Sequence, residues 1–188
     1  MKVTLDDINM SEYKNELSFK NKLIRFFWNI LYWILFRPFS LSIFRLWRIF
    51  LLNCFGAKVH YSSLVAASAK IWLPSNLVMK EFSLIAQETD IYNVDMVTIG
   101  KNTIVSQKSY LCTASHDIFD KSHPLIHKPI ILEDNVWIAA DAFVGMGVKI
   151  GQGAVVGARS AVFKNVEPWS IVGGNPAKFI KPRKFVDQ

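Results

Sequence analysis

The stretch LCTASHDIFD, residues 111–120, sets His116 directly before Asp117, and His123 and His127 follow around Pro124. Histidine has an ordinary pKa of about 6.5, so a neutral imidazole can take a proton near neutral pH. An aspartate beside it has two uses. It can fix the ring tautomer and stabilise the imidazolium, or it can cap the first turn of a loop. The stretch also breaks a regular pattern that surrounds it, so the elements that hold these residues come next.

From Val59 an aliphatic residue recurs every six positions: Val59, Val65, Ile71 and Leu77. After slips of two the beat returns at Ile85, Ile91 and Val97, then at Ile99, Val105 and Leu111. Beyond the break it runs from Leu132 through Ile138, Val144, Ile150 and Val156 to Val162. Four residues after each beat the side chain is usually small or β-branched, as at Ser63, Ala69, Thr103, Ser109, Ser115 and Ser160. Neither an amphipathic helix nor an alternating strand has this period. Period six predicts a hexapeptide β-helix, with one short strand and one corner per hexad and three strands closing a triangular coil. The aliphatic residue fills the prism, the small residue fits the corner, and about six coils stack at roughly 4.8 Å. The glycines of GMGVKIGQGAVVG are then coil corners, not a phosphate-binding loop. Leu111 to Leu132 spans 21 residues, which is no multiple of six, so the chain is expected to leave the prism there.

The chain has 188 residues, 51% of them hydrophobic, with mean hydropathy +0.22, which excludes wholesale disorder. A formal charge of +7 favours anionic partners. No zinc-finger spacing, RNA-binding aromatic signature or basic tract points to nucleic acid, so none is expected. Cys54 and Cys112 make no disulfide framework, which fits a reducing compartment, and the polar first 22 residues do not read as a signal peptide. Residues 23–55 are apolar and aromatic, without the six-residue beat, and read as two helices broken near Pro38. Two readings stand for this segment: a cap on one end of the prism, or interfacial membrane contact. In the second, Trp28, Trp33 and Trp47 lie at the headgroups and the arginines at lipid phosphates.

The array, together with YLCTASHD, KPIILEDNVWIAADAFVGMGVKIGQGAVVGARS and GGNPAKFI, resembles the left-handed β-helix, hexapeptide-repeat acyltransferases. Within them it is most similar to the sugar O-acetyltransferases of bacterial exopolysaccharide and colanic acid synthesis. The resemblance implies an all-β fold, a left-handed parallel β-helix with an N-terminal helical segment. It divides the chain into a polar arm and aromatic helical segment (1–56), the β-helix domain (57–177) with an excursion loop at about 117–129, and a basic tail (178–188). It also implies a homotrimer whose active sites lie in clefts between prisms, with acetyl-CoA as co-substrate and no metal.

By the same resemblance His116 is the general base that takes the proton of a sugar hydroxyl and returns it to the CoA thiolate; Asp117 stands beside it as the second catalytic candidate, with both of its uses open. Trp137 falls in the acetyl-CoA channel. Ala140, Ala158 and Phe163 match cofactor contacts, while Lys164, Lys178 and Lys181, with Arg159 and Arg183, are candidates for the CoA phosphates. Tyr92, Asn93, Gln107 and His123 are candidate acceptor contacts, and His60 is taken as structural. Many sugar acetyltransferases of this fold carry proline after the catalytic histidine; aspartate stands there in this chain, as in the polysaccharide-linked group.

These residues predict an acetyl-CoA-dependent O-acetyltransferase of a sugar or glycan precursor, located in the cytoplasm or at the inner membrane face. N-acetylation of an amino sugar is the near alternative. A γ-carbonic-anhydrase-like metal site on His116, His123 and His127, and a non-catalytic CoA- or glycan-binding module, are the distant ones.

Overall fold

The computed structural model describes residues 18–185. Helix α1 (Phe19–Leu31) is capped by Ser18, whose hydroxyl accepts from the Asn21 amide at 3.2 Å. It runs into one π-helical turn (Tyr32–Phe36) and stops at Arg37-Pro38. Helix α2 (Arg45–Cys54) follows.

Short strands then wind a triangular prism. The first turn is β1 (Lys58–Val59), β2 (Leu64–Val65) and β3 (Lys70–Ile71). The second is β4 (Leu77–Met79), β5 (Leu84–Ile85) and β6 (Asp90–Tyr92), and the third is β7 (Val97–Ile99), β8 (Ile104–Val105) and β9 (Tyr110–Cys112). A hairpin intervenes, β10 (Ala114–His116) against β11 (Leu125–His127). The fourth turn is β12 (Ile130–Leu132), β13 (Trp137–Ile138) and β14 (Phe143–Val144), and the fifth is β15 (Lys149–Ile150), β16 (Val155–Val156) and β17 (Ala161–Val162). A sixth turn is begun by Val166, bridged to Ile150, and by β18 (Ser170–Gly173), on which β19 (Lys178–Pro182) folds back antiparallel. The strands stack in parallel into three faces: β1-β4-β7-β12-β15, β2-β5-β8-β13-β16-β18 and β3-β6-β9-β14-β17.

Every beat residue is buried, from Val59 to Val162. The slips of two have a local cause. On the first face β4, β7 and β12 are three residues long and point both ends inward, Leu77 with Met79, Val97 with Ile99, and Ile130 with Leu132. The turn that leads into such a strand takes 20 residues, as from Lys58 to Val78 on β4, and the turn that leads into the two-residue β15 takes 18, from Ile131 to Lys149. Glycine follows the beat at Gly100 because the wall passes so close that a Cβ there would collide with the backbone of Glu133. Ser115 departs from its expected corner position and stands exposed, because the chain has already left the prism for the hairpin; Thr113 is the buried small residue at that corner.

The helices close the first turn. The outward carbonyls of its three strands have no preceding strand to pair with, and each is met by a side chain instead. Asn53 Nδ2–H donates to Val59 O at 3.0 Å, and its Oδ1 accepts from the Val59 amide at 2.9 Å. Arg48 Nε–H donates to Val65 O at 2.9 Å, and Trp28 Nε1–H donates to Ile71 O at 2.7 Å. The capping reading of residues 23–55 is therefore the structural one for these side chains. Trp28 is buried, Trp47 donates its indole N–H to Leu35 O at 2.9 Å, and Arg45 donates to the carbonyls of Tyr61 and Ser63, so none of them is turned to a headgroup layer.

Asn53→Ala removes two hydrogen bonds from the open end of the prism. The expected loss is about 1–3 kcal/mol of unfolding free energy, read as a lower urea midpoint at unchanged slope.

Candidate active site

The hairpin leaves the prism at the corner between the third and first faces. It lengthens one turn to 33 residues, from Thr98 to Ile131, against 20 for the turn before. The excursion predicted at about 117–129 is the end of a hairpin that starts earlier: β10 pairs with β11, Ala114 opposite His127 and His116 opposite Leu125, and residues 117–124 form the connecting turn. Its base is tied to the prism. His127 Nδ1 lies 2.8 Å from Asp95 Oδ2, the Asp95 amide donates to Thr113 Oγ1 at 2.9 Å, and Thr113 donates to Tyr92 O at 3.0 Å.

His116 ends β10 and is exposed. Its Nδ1 lies 2.6 Å from the backbone carbonyl of His123. A carbonyl only accepts, so Nδ1 carries the proton and the neutral ring has its lone pair on Nε2. His123 is held with φ +46°, a conformation that aims its carbonyl back across the hairpin. Asp117 Oδ1 accepts from the Phe119 amide at 2.9 Å, the turn-capping geometry. At Nδ1 the ring is therefore held by a backbone carbonyl.

The remaining candidates divide between two other parts of the prism. Gln107, Ala140, Ala158 and Arg159 stack at the corner between the second and third faces, linked by Asp141 N–H to Gln107 O and Arg159 N–H to Ala140 O. Arg159 Nε lies 3.2 Å from Asp141 Oδ2. Trp137 faces outward on the second face, 45% exposed, and its indole N–H donates to Ser106 Oγ at 3.0 Å beside that corner. Phe163, Lys164 and Lys178 line one cavity of about 370 Å³ at the last turn, and Lys181 is exposed on β19. Arg183 is committed elsewhere: it donates to Asn135 O at 3.0 Å and Gly153 O at 2.8 Å, and lies over the Phe185 ring. Asn93 is fully buried, with both ends of its amide on the Leu73 backbone, which withdraws it from acceptor contact. His60 caps a local turn through Ser62.

Two features had no sequence signal. The Asp95–His127 pair joins residues 32 apart, which no periodicity links. A cavity of about 270 Å³ lies between α1 and the third face, lined by Trp28, Trp33, Trp72, Tyr92, Tyr110 and Asp90 among others. Burial pushes the Asp90 carboxyl above its ordinary value, partly opposed by Lys70, and pushes the Tyr110 hydroxyl upward as well. Among the described residues, no group of three or more His, Cys, Asp or Glu side chains could hold a metal ion, so the three nearby histidines do not converge as a zinc set.

No family model matches the chain. It is 41% identical over 137 residues to the colanic acid biosynthesis acetyltransferase WcaF of Escherichia coli strain K12, covering 73% of this chain and 75% of WcaF. A hexapeptide-repeat acetyltransferase of Vibrio cholerae, solved with acetyl-CoA, superposes with a TM-score of 0.79 at 25% identity, over 96% of this chain and 98% of its own. A maltose O-acetyltransferase from Clostridium difficile 630 shares the fold at 24% identity, with a TM-score of 0.77 over 89% of this chain and 90% of its own. The chain belongs to the hexapeptide-repeat acetyltransferases, and its prism is their left-handed β-helix.

Asp95→Ala should loosen the hairpin base, raising amide exchange across residues 114–127 by about tenfold or more while the prism strands keep their protection. A carboxyl raised by folding contributes stability below its unfolded pKa and loses it as pH rises through the folded one. Asp90→Asn should therefore gain urea stability relative to wild type as pH rises above the ordinary aspartate range, checked by paired melts.

Proposed function

We propose that the protein is an acetyl-CoA-dependent O-acetyltransferase that modifies a sugar hydroxyl in the synthesis of a surface polysaccharide. The observation that carries this reading is the His116–His123 hydrogen bond at 2.6 Å, which puts the proton of the neutral ring on Nδ1 and its lone pair on Nε2, the atom that acts as base. Nε2 takes the acceptor's hydroxyl proton as that oxygen attacks the thioester carbonyl carbon. The carbon–sulfur bond breaks, and the imidazolium returns its proton to the departing thiolate, giving the acetyl ester and CoA thiol. The His123 carbonyl holds the ring and stabilises the transient imidazolium. Asp117 supports it by closing the hairpin's first turn.

The site is completed between copies of the chain. His116 stands at the corner between the third and first faces, whereas Trp137, Ala140, Ala158 and Arg159 cluster at the corner between the second and third. A face separates these corners within one prism, so the two groups meet when the hairpin edge of one subunit faces the other corner of a second. A homotrimer satisfies this for all three copies. The hairpin tip fits such a contact, since Phe119 is 93% exposed and Ile118 74%. In that cleft Trp137 and the small Ala140 and Ala158 line the pantetheine arm, and Lys164, Lys178 and Lys181 meet the phosphates. Tyr92, Gln107 and His123 remain the acceptor contacts. The enzyme works in the cytoplasm at the inner membrane face, where a lipid-linked glycan precursor is presented.

CoA thiol release from acetyl-CoA, measured over free sugars, nucleotide sugars and lipid-linked glycans, tests the assignment. An acceptor-dependent rate that falls about a hundredfold or more in His116→Ala supports the general base. A rate that survives the substitution moves the chemistry to another group.

A further inference from the structure

The indole of Trp28 pins one side of α1 to the prism, and this fixes what the other side presents. At the helical repeat, Phe19, Leu23, Phe26, Phe27 and Ile30 fall within an arc of about 100°, opposite Trp28. All five are exposed, Phe19 by 79% and Phe26 by 59%. Lys20 and Lys22 fall on either side of this arc, both exposed. Trp33 and Ile34 extend it through the π-helical turn, and both are exposed. Arg37, exposed at the end of the turn, lies 4.9 Å over the Trp33 ring. From Phe19 to Lys80 the sequence contains no aspartate or glutamate.

We propose that this face docks the enzyme on an anionic membrane surface, with the aromatic arc in the interfacial layer and Lys20, Lys22 and Arg37 at lipid phosphates. An apolar arc flanked by lysines is the arrangement of an interfacial helix. Among the described residues no helix is long and apolar enough to cross a bilayer, so α1 lies in the surface. A two-fold contact of this face with itself fits less well: it would bring the same basic residues together with no carboxylate from this segment to pair them. The docked side is the back of the helix that roofs the cavity at Trp72 and Tyr92, so the surface sets that cavity near the lipid headgroups. The proposal builds on the membrane location given above. Vesicle binding is measured without acetyl transfer, so its failure leaves the catalytic reading standing.

The test is flotation of the full-length protein with phosphatidylcholine vesicles, with and without about one-third phosphatidylglycerol, together with light-scattering mass in solution. The expected result is binding that requires the anionic lipid and weakens with salt. It should fall about tenfold or more both in Phe26→Ser/Phe27→Ser and in Lys20→Glu/Lys22→Glu, with the oligomer intact. No binding by the wild type overturns the proposal. So does a Phe26→Ser/Phe27→Ser variant that binds vesicles as before but breaks into smaller oligomers, which would assign the face to a second copy. The two exposed lysine positions tolerate substitution, so that variant gives a readout even if the phenylalanine variant misfolds.

Discussion

A parallel β-helix pairs each strand only with the turns before and after it, so its first turn ends in backbone carbonyls that nothing in the repeat can satisfy. Much of this molecule is arranged around that fact. Asn53, Arg48 and Trp28 each supply one donor to one face of the first turn. The substitutes are matched to the strand they replace. Asn53 offers a donor and an acceptor to Val59, as a neighbouring strand would. Arg48, itself almost fully buried, also gathers the carbonyls of Phe39 and Leu41, so its charge is surrounded by acceptors rather than left bare. Burial holds its pKa below the ordinary arginine value without placing deprotonation in reach of ordinary pH.

These bonds have consequences far from the end they close. Once Trp28 is fixed to Ile71, the rotation of α1 is fixed, and with it the roof of the cavity beside Tyr92 and the apolar arc on the opposite side. The far end is closed differently, by β19 folding back on β18, which carries Lys178 and Lys181 to the outside and lets Arg183 reach the corner carbonyls of Asn135 and Gly153. A repeat that is quasi-one-dimensional along its axis therefore gets its particular chemistry from its two ends and its one interruption.

The interruption exploits the stiffness of its surroundings. A hairpin rooted between two turns of stacked strands has a fixed base, and the Asp95–His127 contact adds a lateral tie. The short His116–His123 contact then sets the tautomer through a backbone carbonyl, a group that does not titrate. Distribution of the remaining candidates over separate corners is the geometric reason for proposing a site between copies of the chain.

The sequence by itself determined the prism. A six-residue beat has one economical solution, and every beat residue from Val59 to Val162 is inside. It also located the departure point, because a spacing that is no multiple of six cannot be wound into whole hexads. His116 was legible as the singular residue of that break. What stayed hidden were contacts between residues with no periodic relation: Asn53 with Val59, Asp95 with His127, His116 with a backbone carbonyl. A backbone acceptor has no letter in the sequence, so the sequence leaves both uses of Asp117 open. The same holds for the aromatic segment. Composition marks it as apolar and aromatic, but which side of α1 faces the protein and which faces outward depends on the rotation of the helix about its axis. That rotation was decided only when a carbonyl at the open end of the prism took the indole N–H of Trp28.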